Sequence, residues 1–395
     1  MSAVFSISVK PMALSLWQIW KSAAAGLMRK CASDCSRMDS VPAKTFHDDP
    51  DAMVLNLFYE DKDDRWFPGD RHLRRMARRM LLGEPRMSGQ LRVFLNLCAG
   101  LDRLGIRYRV NDYGYIAQHP SELACIIGRT FLLDKFAWKN PILLGVAAHN
   151  HPLDDPDLFK RLPVKKVVVP GPWYVDMYRP YWPDTEAWPV GIDTDLWAPS
   201  PAVDKTVDVL VYDKVHWDRE RYAPELIEPV RARLAKEGCS FIELRYGSYK
   251  EEDYQAALAR SRAMIFLCQN ESQGIAYQQA LSCGVPVFAW DPGGPWRDPE
   301  YYPHRVQFGP VSSVPYWDAR CGVRFADIAG FESGWDDFWA GCAVDRFDPR
   351  GFVLDNLTLE QRALQYYEIA QGIVRQQAAP QASRLVVDGC LTGIG

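Results

Sequence analysis

Short apolar runs alternate along the chain with longer segments whose apolar residues recur every three or four positions. Residues 53–59, 141–148, 166–169 and 207–212 are mostly apolar runs that predict buried strands. Residues 106–110 alternate and predict a further strand, as do residues 241–245. Between them, Leu91, Phe94, Leu95, Leu97, Cys98 and Leu101 keep helical spacing up to Gly105, and 224–237 and 251–260 read as helices. The densest stretch is 263–291. It predicts a strand over 264–267, a polar loop with Asn270, Glu271 and Ser272, a helix from about Gly274 to Cys283, and a strand over 285–290. Gly284 stands where a helix end favours a left-handed residue. After a turn at 292–296, the aromatic segment 317–339 predicts only a strand at 323–325 and a helix near 334–340. Thr358 and Gln361 then form a capping box that opens a helix to about 375.

This alternation predicts an α/β chain of two Rossmann-like, doubly wound domains facing each other across a cleft. The chain has 395 residues, room for two such cores. We divide it into an N-terminal extension (1–45), a first domain (46–200), a second domain (201–356) and a closing helix and tail (357–395), with the polar, proline-bearing 200–206 as linker. The segment 11–28 is mostly apolar but is interrupted by Lys21 and polar residues, so it makes a poor membrane span. A disordered or mis-started extension, an interfacial helix and a signal peptide remain its three readings. Arg71, Arg74, Arg75, Arg78 and Arg79 fall on one helical face. Such a face suits an anionic membrane surface or a phosphate-bearing acceptor; a solvated, internally paired face is the plain alternative. A net charge of −4 makes no case for nucleic acid. Ten scattered cysteines without a CxxC pair read as reduced thiols in a cytoplasmic protein, possible peripheral contact with the inner membrane face included.

The chemistry gathers at Glu271–Gly274. Loops at the carboxyl ends of parallel strands line the ligand crevice of an open α/β sheet. A helix N-terminus there offers free N–H groups to an anion, and Gly274 allows close backbone approach. Lys214 and Arg219 follow the first strand of the second domain and suit stabilisation of a leaving phosphate. His149 and His151 end the run at 141–148, with Asp154, Asp155 and Asp157 close behind. Read from the residues alone, His149 is either a loop histidine or a site residue, and the acidic loop leaves a metal reading open.

The stretch from Glu271 to Asp291 resembles the donor-site signature of GT-B glycosyltransferases, above all the retaining family 4 type. That signature is a Glu, seven residues, a second Glu, then a small-residue helix end and a Gly-x-Pro-Val strand; here the second Glu is Gln279. Val190-Gly-Ile-Asp193 resembles the segment that closes the family's first domain, and Lys214-x4-Arg219 its paired cations in inverted order. Ser88-Gly89 resembles its glycine turn, although a long basic insertion precedes it. The resemblance implies transfer of a sugar, with retention, from a nucleoside diphosphate sugar to a glycan or lipid-linked acceptor. It implies Glu271 and His149 as catalytic residues at the donor sugar. Lys214, Arg219, Ser272, Gln273, Gly274, Ile275, Gln279 and Gly89 would hold the donor. It implies no obligatory metal, no cofactor beyond the donor, and a C-terminal helix that crosses back to the first domain. Gln279, with one acceptor oxygen where the family has a carboxylate, and the altered turn after Gly294 leave room for a second reading: a catalytically weak relative that binds a nucleotide sugar or scaffolds a partner.

Overall fold

The computed structural model describes residues 52–60, 88–146 and 148–378. The extension at 1–45 and the arginine face at 71–79 lie outside the described residues. Eleven strands form two all-parallel sheets. The first holds β1 (Leu55–Phe58), β2 (Tyr108–Val110), β3 (Ala124–Ile126), β4 (Ile142–Leu144), β5 (Val164–Val169) and β6 (Thr185–Ala187), in the order β2-β1-β3-β4-β5-β6. The second holds β7 (Val207–Lys214), β8 (Phe241–Arg245), β9 (Ser261–Cys268), β10 (Val287–Trp290) and β11 (Gly322–Phe325), in the order β11-β10-β9-β7-β8. Within each half helices connect successive strands, except between β10 and β11, so both halves are doubly wound, the architecture expected from the alternating pattern. Strands such as β1 and β10, buried at every residue, explain the mostly apolar runs.

Some elements carried too little signal to be predicted. β3 and β6 have three residues each, less than one readable repeat. The helix expected near 334–340 runs over Ile328–Ala343, because the Asp327 carboxylate caps it by accepting from the Gly330 N–H at 2.8 Å. The helix expected at 224–237 is instead broken into Arg219–Tyr222, a π turn at Ala223–Ile227, and Glu228–Lys236.

Two segments cross between the halves. The capping box at Thr358 and Gln361 forms, with both hydrogen bonds at 3.2 Å, and opens the helix Leu359–Ala378. As expected, that helix returns to the first half, where Tyr366, Ala370 and Ile373 join the core over β1. It packs on the helix Gly89–Leu104 at Gly100, where a Cβ would stand 2.4 Å from the Leu359 carbonyl oxygen. The second crossing was not expected. After β10 the chain lays Trp296, Tyr301, Val306 and Val311 into the core of the first half before returning. Burial of each large apolar side chain contributes ~2 kcal/mol. Asp291 fixes the return by accepting from the Ser313 N–H at 2.8 Å and the Ser312 hydroxyl at 3.1 Å. The described residues thus belong to one compact unit, and the boundary drawn at 200 is a chain boundary rather than a break in packing.

His151 sits where this second crossing lands. It is buried among Tyr178, Tyr181, Trp296 and Tyr301. Its Nδ1 accepts from the Leu153 N–H at 3.1 Å, and Asp154, which accepts from the Tyr301 hydroxyl at 2.7 Å, takes the His151 N–H at 3.2 Å. Burial pulls the imidazole below its ordinary pKa of 6.5, the Asp154 carboxylate opposing and Arg305 assisting.

Two predictions follow from the crossings. Gly100→Ala drives a methyl into the Leu359 carbonyl and costs about 1–3 kcal/mol, read as a lowered Tm. Gly372→Ala, on the same closing helix with open space around it, raises Tm, since alanine is favoured over glycine in a helix by about 1 kcal/mol. For His151 the folded pKa lies below the unfolded one, so its contribution is complete above pH 6.5 and is lost as pH falls towards the folded value. Tm measured between about pH 7 and pH 5 therefore falls less steeply in His151→Asn, which keeps a capping acceptor without a titrating ring.

Candidate active site

The strand order places the site. In the second sheet the chain steps from β7 outward to β8, then returns to the other side of β7 as β9, so the crevice opens between the carboxyl ends of β7 and β9. Lys214 ends β7 and pairs in register with Cys268, the last residue of β9. Glu271 lies three residues further on. The two side chains meet: the Lys214 ammonium donates to Glu271 Oε1. Burial would lower the Lys214 pKa, but the Glu271 carboxylate more than compensates and holds it above the usual lysine range. The ammonium also lies 4.4 Å from the centre of the Tyr246 ring. Glu271 Oε2 accepts no hydrogen bond among the described residues.

The loop after β9 is held from the first half. The Trp173 indole N–H donates to the Glu271 carbonyl at 2.9 Å. Gly171 packs on the Ser272 carbonyl so closely that a Cβ would lie 2.1 Å from its oxygen. The Gln273 amide clasps Val190, accepting from its N–H at 3.0 Å and donating to its carbonyl at 2.7 Å. Gly274 then turns left-handed (φ +85°) into the helix Ile275–Ser282, and a Cβ there would collide with the Tyr277 ring at 2.0 Å. No side chain caps this helix and its first turn holds no acidic residue, so its first N–H groups stay open to a ligand.

These parts line one cavity of about 360 Å³. Gly89, Lys214, Glu271, Ser272, Gln273, Gly274, Ile275 and Gln279 all line it. The Gln279 side chain is 8 % exposed and its amide has no hydrogen-bond partner among the described residues. The amide opens on the cavity, free to donate and to accept there. From the first half come Ser88, Gly89 and Arg92, at the start of the helix Gly89–Leu104.

Two expected site residues stand outside the lining. Arg219 is a two-pronged partner of the buried Asp213 carboxylate, whose Oδ1 also accepts from the Val215 N–H at 3.1 Å. It thereby steadies the turn that follows Lys214. His149 packs edge-on against Trp182, its centroid 5.5 Å away, with Nε2 buried and unpartnered; burial lowers its pKa, against the pull of Asp155 and Asp154. In the acidic loop Asp155 pairs with Arg161 and Asp157 with Lys160. Among the described residues no three His, Cys, Asp or Glu side chains converge as a metal-ligand set. No helix among them is long and apolar enough to cross a membrane.

Sequence reasoning missed Arg92, Tyr246, Tyr249 and Glu251, which also line the cavity. Tyr246 and Tyr249 follow the carboxyl end of β8, and Arg92 lies one turn beyond Ser88-Gly89. Position after a strand or helix start was the available signal; no pattern marked these residues further.

No protein-family model and no curated protein matches the sequence. Among solved structures, the chain is similar to WaaG, a glycosyltransferase involved in lipopolysaccharide biosynthesis, at 10% identity and a TM-score of 0.43, over 81% of this chain and 100% of that one. The lipopolysaccharide outer core galactosyltransferase WaaB matches at 9% identity and a TM-score of 0.46, again over 81% and 100%. Sucrose-phosphate synthase from Thermosynechococcus elongatus matches at 13% identity and a TM-score of 0.44, over 67% and 76%. Likeness of this size says nothing of activity.

Proposed function

We propose that the cavity binds a nucleoside diphosphate sugar and that the chain transfers the sugar to an acceptor hydroxyl. One observation carries this reading: Lys214, Glu271, the open helix end at Gly274 and the unpartnered Gln279 amide share one hollow at the switch point of the second sheet. The charge that grows on the departing diphosphate would meet the Lys214 ammonium and the free N–H groups beyond Gly274. Glu271, with one oxygen on Lys214 and the other open, would accept from sugar hydroxyls. Gln279 would meet the ribose hydroxyls, donating and accepting through one amide. In a retaining transfer the bond from the anomeric carbon to the phosphate oxygen breaks and that from the acceptor oxygen forms on the same face. The acceptor proton leaves with the departing phosphate. Arg219 would act at one remove, by fixing Asp213 and the turn after Lys214. His149 carries no step in this reading.

Two measurements test it. UDP or GDP raises Tm, a UDP- or GDP-sugar is slowly hydrolysed, and Glu271→Ala abolishes turnover while nucleotide binding persists. Stabilisation without turnover in the wild type would leave a nucleotide-sugar-binding protein that is not a transferase; no response to any nucleotide would end both readings. Gln279→Ala weakens nucleoside diphosphate binding by about tenfold in calorimetry, the equivalent of one or two hydrogen bonds. An unchanged affinity would remove Gln279 from the site.

A further inference from the structure

The cavity holds a second cation, contributed by the other half of the molecule. Arg92 projects from the helix Gly89–Leu104 and its side chain is 15% exposed. Its guanidinium pairs with Glu251, the first residue of the helix Glu251–Arg260 in the second half, and both residues line the cavity. Each half therefore contributes one cation, and each cation is neutralised by one carboxylate of the second half: Lys214 by Glu271, Arg92 by Glu251.

The second pair is unequal. Glu251 stands with Glu252 and Asp253 in the first turn of its own helix, where the helix dipole favours a negative charge with or without Arg92. Among the described residues Arg92 has no other ion-pair partner. The start of its helix carries no acidic residue, and among the described residues nothing lies within 4 Å of a Cβ built on Gly89.

Building on the donor reading above, we propose that Arg92 binds a phosphate ester on the acceptor, exchanging Glu251 for the phosphate as the acceptor enters. Lys214 and the Gly274 helix end serve the donor diphosphate. Arg92 and the opening of its helix at Ser88-Gly89 take the second anion from the opposite wall. A planar guanidinium grips a phosphate through two parallel N–H bonds, so the exchange replaces one charge-assisted pair by another of equal or better geometry.

The test is a calorimetric titration of inorganic phosphate into the full chain saturated with UDP. The wild type binds one further phosphate. Arg92→Gln weakens that event by about tenfold or more, and Glu251→Gln tightens it, because the competing carboxylate is gone. UDP affinity stays within about threefold in both variants. If Arg92 and Glu251 serve only as a clasp between the halves, both variants shift phosphate binding in the same direction, and the inference falls. It falls too if UDP binds but no second phosphate does. Failure of UDP itself to bind is a different result: it removes the donor reading, and this inference with it. Competition then names the source of the ester. Glucose 6-phosphate displacing phosphate marks a soluble acceptor, and phosphatidylglycerol vesicles displacing it, with the sugar phosphate inert, mark a lipid head group. Displacement by neither, with phosphate itself bound, overturns the ester and leaves an adventitious ion only.

Discussion

The Gln273 amide is the contact on which the rest of the site depends. It satisfies both the N–H and the carbonyl of Val190 in the first half, and it also donates to Gln278 at 3.0 Å, while Gln278 returns a bond to the Gln273 carbonyl at 3.0 Å. All of these groups are buried. Drawing the halves apart here would strand several polar atoms, each costing about 1–3 kcal/mol. The same amide lies two residues from Glu271 and one from Gly274. The loop that would meet a ligand is therefore held in shape by the opposite half, before any ligand arrives.

A pre-shaped loop permits a charge arrangement that a flexible one would not. A buried ion pair is seldom favoured over well-packed apolar residues of the same size, so Lys214 and Glu271 are poorly explained as stabilisers of the fold. In the donor reading proposed above they would be two charges kept ready, each masking the other until a ligand with both anionic and hydroxyl groups meets both. The Cys268 thiol, 3.8 Å from Glu271 Oε1, is pushed well above its ordinary range by burial and stays neutral between them. The surrounding β7 and β9, buried almost throughout, leave the pair little freedom to relax.

Much of this was legible in the sequence, and for a physical reason. Long parallel strands buried on both faces are rich in apolar residues, so β1, β5, β7, β9 and β10 stood out even with Asn56 in β1 and Asp208 and Asp213 in β7. Glycines at backbone positions that admit no Cβ, such as Gly274, marked a close approach. What escaped detection has equally plain causes. β3 and β6 are three residues long, and burial of so short a segment needs only three suitable side chains. Trp296 and Tyr301 sit in an irregular segment with no period, and only the fold reveals that they finish the core of the other half. Arg219 looked like a cation for a ligand; its partner Asp213 is the seventh residue of β7, and alternation alone does not say that a carboxylate there will be buried and claim it.

The two crossings then decide where the molecule can give. The closing helix and the segment after β10 join the halves through apolar cores, and the Gln273 clasp, the Trp173 bond and the Tyr316 hydroxyl bond to the Pro170 carbonyl at 2.9 Å add polar contacts beneath the cavity. Opening along those contacts would expose apolar surface and strand buried polar groups together. The Arg92–Glu251 pair is different in kind. It is ionic rather than apolar, and its carboxylate end is the more open, with Glu251 37% exposed and Arg92 15%. It also lies in the cavity lining. In the acceptor reading proposed above, entry of a ligand would exchange this one ion pair and leave the apolar joints closed.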